Sequence, residues 1–169
     1  MKWKIEYGDI LDIEADALIS SANVLLNMSG GVGGAILTRY GDAMQRELRE
    51  YLATQGLVVV KPGCVVETSP AGTPFSYVFH AVAIDVFYCT SHELILTTIR
   101  TALTKCAERR CKTVALTALA TGYGRYAISD FSQVIRELHA ESFPPVEMVT
   151  VCVKNQFDAD ELKDALYHV

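Results

Sequence analysis

The sequence predicts an α/β fold in which helices cover both faces of a sheet, and three observations carry the expectation. Short apolar runs alternate with amphipathic stretches of helical length from one end of the chain to the other. Two glycine-rich segments each lie after an apolar run and before a helical stretch, where βα units make their connections. Half of the 169 residues are apolar and 21% are charged, enough to bury a sizeable core without disulfides. No repeat, low-complexity run or linker breaks the pattern, so residues 1–169 are expected to form one domain.

Trp3 to Tyr7 alternates apolar and polar residues, as a half-buried strand does. Ala17-Leu18-Ile19 reads as a short buried strand running into Ser20-Ser21-Ala22-Asn23. A helix is expected after the glycine cluster, starting with Ala35, Ile36 and Tyr40, and a second from Asp42 to Thr54. Cys64 to Val66 and Tyr77 to Val82 read as strands, with Pro70-Ala71-Gly72-Thr73-Pro74 as the turn between them. The clearest helix runs from about Ser91 to Arg109, where Leu94, Ile95, Ile99, Ala102, Leu103 and Cys106 make an apolar stripe. Thr90 with Glu93 three residues on fits a capping box. Thr113 to Leu119 is then a buried strand, Phe131, Val134, Ile135 and Leu138 mark a helix capped by Ser129, and Val146 to Val153 is a last strand. Asp158 with Glu161 is expected to open a final helix carrying Leu162, Ala165 and Leu166.

Composition narrows the function. Fifteen basic against twenty acidic residues leave a net charge of −5, which argues against a broad nucleic-acid-binding face while leaving room for a local anion pocket. Cys64, Cys89, Cys106, Cys111 and Cys152 are odd in number, contain no CxxC pair and have no accompanying histidine cluster. Reduced thiols in a cytoplasmic protein are therefore expected, and a metal site is not. No apolar run reaches the ~18 residues of a membrane span, and residues 1–10 lack the apolar core of a secretory signal.

Function is expected in the glycine-rich segments. Ser29-Gly30-Gly31-Val32-Gly33-Gly34 precedes a helix, so its amides and the helix N-terminus can converge on an anion. Ala120-Thr121-Gly122-Tyr123-Gly124-Arg125 follows a buried strand, at the carboxyl end where open α/β sheets bind ligands. A diphosphate has enough oxygens to occupy both. Gly122, Gly124 and Ala127 also match the dinucleotide fingerprint GxGxxG/A, which makes an NAD-dependent oxidoreductase the lesser alternative. That fingerprint normally opens its domain, yet only about 45 residues follow Gly124 here. Arg125 offers either a bidentate phosphate contact or a solvated charge, Tyr123 and Tyr126 are candidates for lining the ribose end, and His80 reads as a hydrogen-bonded core histidine.

These residues resemble a known family. Gly8-Asp9-Ile10, Ala17-Leu18-Ile19-Ser20-Ser21-Ala22-Asn23 and Gly30-Gly31-Val32-Gly33-Gly34-Ala35-Ile36 look like the opening signature of macro domains. Tyr77-Val78-Phe79-His80 is similar to that family's central strand, and Ala120 to Gly124 to its second phosphate loop. The resemblance implies a three-layer α/β/α sandwich with a central mixed sheet and a cleft for ADP-ribose, with no other cofactor. It implies that Asp9 accepts from the adenine amino group with Ile10 beside the ring, and that Asn23 faces the distal ribose. Gly30, Gly31 and Val32 would wrap one phosphate, and Ala120 to Gly124 the other, with Ser29 and Arg125 as flanking candidates. From the residues alone, Asp9 as a turn former and Asn23 as a capping residue stay open.

Some members of the family hydrolyse ADP-ribosyl esters or deacetylate O-acetyl-ADP-ribose. In the hydrolase branch an Asp follows the GGGV stretch, and Gly33 stands there in this chain, removing the obvious general base. The ligand set of the zinc-dependent branch is also missing. Ser20 replaces the first Asn of the family's strand end, and Val153-Lys154 lies where an adenine-stacking aromatic is common, leaving Phe157 as the substitute. The expectation is a binder of ADP-ribose or of ADP-ribosylated protein. The alternative is a hydrolase in which Asn23 orients the ribose and the substrate's own phosphate assists water.

Overall fold

The computed structural model describes residues 1–167. Six strands form one mixed sheet: β1 (Lys2–Tyr7), β2 (Ala17–Ser21), β3 (Val65–Thr68), β4 (Tyr77–Ala81), β5 (Thr113–Thr117) and β6 (Met148–Val153). Their order is β1-β6-β5-β2-β4-β3. All neighbours run parallel except β3, which pairs antiparallel with β4. The helices are α1 (Gly31–Tyr40), α2 (Ala43–Thr54), α3 (His92–Glu108), α4 (Ile128–His139) and α5 (Gln156–Tyr167).

Residue alternation along the central strands divides the core in two. Ala17, Ile19, Phe79 and Leu116 face one side, where they meet Ile99 and Leu103 of α3, Phe131 and Ile135 of α4 and Leu162 of α5. Leu18, Val78 and Ala115 face the other, against Ile36 of α1 and Met44 and Leu48 of α2. Central strands buried on both faces need a continuous apolar run, which Val114-Ala115-Leu116 supplies in β5. β1 lies at the sheet edge, and there Lys2 and Lys4 alternate with buried Trp3 and Ile5. The result is the expected three-layer sandwich, helices outside and sheet between.

Helix starts correct the sequence reading. α1 begins at Gly31 rather than at Ala35, so the glycine cluster is the helix's first turn. The cap of α3 is Ser91, whose Oγ accepts from Leu94 N, whereas Thr90 donates its hydroxyl to Ala83 O. Ala127 caps α4 without a side-chain bond, and Ser129 lies inside the helix because Tyr126 N is already pinned to Ala120 O. α5 starts at Gln156: Asn155 Oδ1 accepts from Asp158 N while Asn155 Nδ2 donates to the Asp158 carboxylate, a reciprocal cap one turn ahead of the expected opening. Among the described residues no helix is long and apolar enough to cross a membrane.

Candidate functional site

Five parallel strands end on the same edge of the sheet, and the loops that leave them surround a cleft of about 1040 Å³. That is the upper end of the usual range for small-molecule sites. Gly8, Asp9 and Ile10 come from the loop after β1. Asn23 and the 26–33 segment follow β2, Ile84 and Tyr88 follow β4, Ala120 to Gly124 follow β5, and Lys154 and Asn155 follow β6. Both glycine-rich segments therefore open into one cavity.

The first segment is a helix start without a side-chain cap. Gly30 is the N-cap at φ −150° and makes no side-chain bond, and Gly31 takes φ +57°. The first-turn amides of an α-helix have no partner within the helix, so here they are open to a ligand on the cleft side, with the helix dipole adding to the attraction for an anion. Gly33 is buried against Met28; a Cβ there would lie 2.9 Å from Met28 Cα. Met28 is itself held in place, since its N–H donates to Gln45 Oε1 at 2.7 Å while Gln45 Nε2 donates to Leu26 O at 2.9 Å. Gln45, only 5% exposed, is a positioning residue that sequence reading missed. Gln45, Arg46 and Glu47 all stand between Met44 and Leu48, and only the packing of α2 shows that Gln45 is the one turned inward.

The second segment is a turn rather than a helix start. Ala120 and Arg125 occupy left-handed backbone at φ +64° and +52°. Arg125 N donates to Gly122 O, and Tyr126 N to Ala120 O. Gly124 packs so closely that a Cβ would lie 2.6 Å from Ala120 O. The Tyr123 hydroxyl reaches the first segment, lying 2.5 Å from where a Cβ on Gly30 would be. Tyr88 meets the Tyr123 ring at a centroid distance of 6.3 Å.

The remaining sequence candidates divide. Asp9 caps a short 3-10 turn through Leu11 N, and its other oxygen takes Arg39 Nη2 at 2.5 Å, with Arg39 also reaching Asp12. The turn role is present, and a carboxylate keeps further lone pairs for a ligand donor. Asn23 Oδ1 accepts from Leu25 N and Asn27 N, and its Nδ2 donates to Asn27 O. Its amide thus holds the loop before the glycines and retains one N–H. Ser29 lines the cleft with Gly30, Gly31 and Val32. Arg125 does not: the turn closes at its N–H and leaves the side chain exposed outside the lining. Tyr126 packs on the core, also outside the lining. Phe157 is 76% exposed and lines nothing, because α5 starts one residue before it and carries it away from the end of β6.

Lining carboxylates are Asp9 and Asp158, both from the β1 and β6 side, and Asp158 is tied to Asn155. His80 lies in the floor, 2% exposed, with Nε2 3.0 Å from Thr68 Oγ1. Burial, slightly offset by the Glu47 carboxylate, lowers its pKa to about 4. All five cysteines are unpaired. Burial, with Glu6, Asp9 and Asp12 nearby, pushes the Cys152 thiol up to about 11, so it stays protonated beside the cleft. Among the described residues no cluster of His, Cys, Asp and Glu could hold a metal ion.

A family model for the Macro domain matches residues 19–135, a stretch that includes both glycine segments. The chain belongs to the macro domain family. The GxGxxA spacing at Gly122 falls within the matched stretch and is explained without a dinucleotide fold. This macro domain is 39% identical over 122 residues to an uncharacterized protein of Sulfurisphaera tokodaii, covering 72% of this chain and 65% of that one. It is 33% identical over 132 residues to an uncharacterized protein of Mycobacterium tuberculosis, covering 78% and 35% respectively. The chain thus spans less than two thirds of the length of these relatives. Among solved structures it is similar to the Oceanobacillus iheyensis macrodomain with ADP, at TM-score 0.87 and 22% identity, covering 97% of this chain and 89% of that one. The Trypanosoma brucei macrodomain in complex with ADP-ribose superposes at TM-score 0.82 and 18% identity, covering 97% and 68%. Identities this low establish a common fold.

Proposed function

We propose that this macro domain binds ADP-ribose, free or attached to protein, and acts as a reader. The observation that carries the reading is the uncapped first turn of α1 opening into the same cleft as the turn after β5, with Tyr123 against Gly30. Amides from a helix start and from a turn would then enclose a diphosphate from two sides. Adenine would lie at the β1 and β6 side, between Ile10 and Val153, with the Asp9 carboxylate accepting from its amino group. The distal ribose would lie toward β4, where the remaining N–H of Asn23 donates to a hydroxyl. The solved relatives that carry ADP and ADP-ribose support the same ligand class.

Reading is favoured over turnover by where the carboxylates are. Asp9 and Asp158 follow β1 and β6, which β5 separates from the β2 strand that leads to Asn23, and the position after Val32 is Gly33, backed by Met28. A hydrolase would need a group near the distal ribose to position or deprotonate water. Five free thiols support a reducing, cytoplasmic setting.

Calorimetry with ADP-ribose, AMP and ribose-5-phosphate tests the proposal. ADP-ribose is expected to bind at least tenfold more tightly than either fragment, since only it spans both segments, a difference of roughly 1.4 kcal/mol or more. Equal or absent binding of all three would reject the reading. Release of ADP-ribose from modified protein above background, abolished by Asn23→Ala, would show an eraser instead.

A further inference from the structure

The loop after β4 presents three consecutive apolar side chains to solvent. Val86 is 55%, Phe87 80% and Tyr88 48% exposed. Such residues are ordinarily buried, and this loop cannot bury them because it is tied shut. Asp85 Oδ1 accepts from Phe87 N at 2.8 Å and Cys89 N at 2.9 Å, Asp85 N donates to Cys89 O, and Tyr88 N donates to Asp85 O. Tyr88 takes φ +62°, and Thr90 anchors the loop's end to Ala83 O. One oxygen of the Asp85 carboxylate is held inside the turn by two amides, and Val86 and Phe87 project from the turn as neighbouring apolar side chains.

Strand order says what lies beside that face. β1 and β6 stand at one end of the row of parallel strands and β4 at the other, so Asp9 and Tyr88 mark opposite ends of the cleft. Tyr88 belongs to both surfaces: it lines the cleft, and it contacts Tyr123, which is 70% exposed and meets Gly30. An ADP-ribose with adenine at Asp9 and its diphosphate at Gly30 would direct its distal ribose, and anything attached to it, toward Tyr88 and Phe87.

We infer that the Val86–Phe87 loop docks apolar side chains of the polypeptide that carries the ADP-ribose, next to the modified residue. The inference rests on the cleft being an ADP-ribose site and adds the sequence context that the site prefers. A second copy of the chain fits this surface poorly. Three or four side chains fall far short of the ~20–30 residues a side of a stable interface, and a net charge of −5 on each copy opposes pairing.

The test is a titration of three ligands into the native chain and into the Val86→Ser, Phe87→Ser double variant, both positions lying outside the cleft lining. The ligands are free ADP-ribose, a short peptide ADP-ribosylated between leucines, and the same peptide with glycines in place of the leucines. The native chain is expected to bind the leucine-flanked conjugate about tenfold more tightly than the other two, as burial of one or two apolar side chains gives. The double variant should keep its affinity for free ADP-ribose and lose the tenfold gain. Equal binding of both conjugates by the native chain would overturn the inference, as would a gain that survives the double substitution. So would a native dimer, seen by sedimentation, that the substitutions dissociate. Failure of free ADP-ribose to bind is a separate outcome, which removes the reading of the cleft itself.

Discussion

The two glycine-rich segments face the same cleft by different means, and the difference shows which glycines matter. Residues 30–34 form the cap and first turn of a helix, so the free amides of residues 31–33 follow from the helix start, while Gly34 N already bonds Gly30 O. Residues 120–125 form a turn whose amide directions depend on left-handed backbone at Ala120 and Arg125 and on the close packing of Gly124 against Ala120 O. Within each segment only some glycines are required. Gly33 and Gly124 are held by backbone atoms at their backs and Gly31 by its positive φ. A Cβ on Gly122 would meet nothing within 4 Å, and its φ is not positive. A count of glycines overstates the constraint; what stands behind each one decides it.

Several changes would break or sharpen that comparison. The largest effect is expected in the floor beneath both segments. Because burial lowers the His80 pKa to about 4 from 6.5, the unfolded chain takes up a proton between those values while the folded chain does not. Stability is full above pH 6.5, falls as pH drops toward 4 and levels off below it, a loss of about 3 kcal/mol from this one group. Urea denaturation across that window should show the slope, and His80→Gln should flatten it. Gly124→Ala comes next, at roughly 2 kcal/mol, because Ala120 O also accepts from Tyr126 N and cannot move aside freely. Gly33→Asp, which puts a carboxylate where the hydrolase branch of the resembled family has one, should cost a similar amount through Met28, measured by denaturation. Gly31→Ala should lose about 1 kcal/mol through its backbone conformation alone. Gly122→Ala should change stability by less than about 0.5 kcal/mol, and a larger loss there would mean that the turn is more constrained than its packing indicates.

Much of this architecture was legible in the sequence, and the misses share a cause. Strand and helix identities followed from periodicity, and the cleft followed from two glycine segments at strand ends. The start of α1 differs from the expected one because four glycines among residues 30–34 look like a loop, although an uncapped helix start can use them. Thr90 and Ser129 fit cap positions by spacing, but the neighbouring loops settle which residue turns first. Long-range side-chain partners leave no local trace: Arg39 on Asp9 and Gln45 under Met28 join residues 30 and 17 positions apart. The Val86-Phe87-Tyr88 triplet carries no local mark of exposure either, since what keeps it out of the core is the turn that Asp85 closes.

A crystal structure with ADP-ribose tests the central claim most directly. The diphosphate should lie within hydrogen-bonding distance of first-turn amides of α1 on one side and of amides between Thr121 and Gly124 on the other. A diphosphate contacting one segment alone, or a ligand seated outside the cleft, would contradict the account.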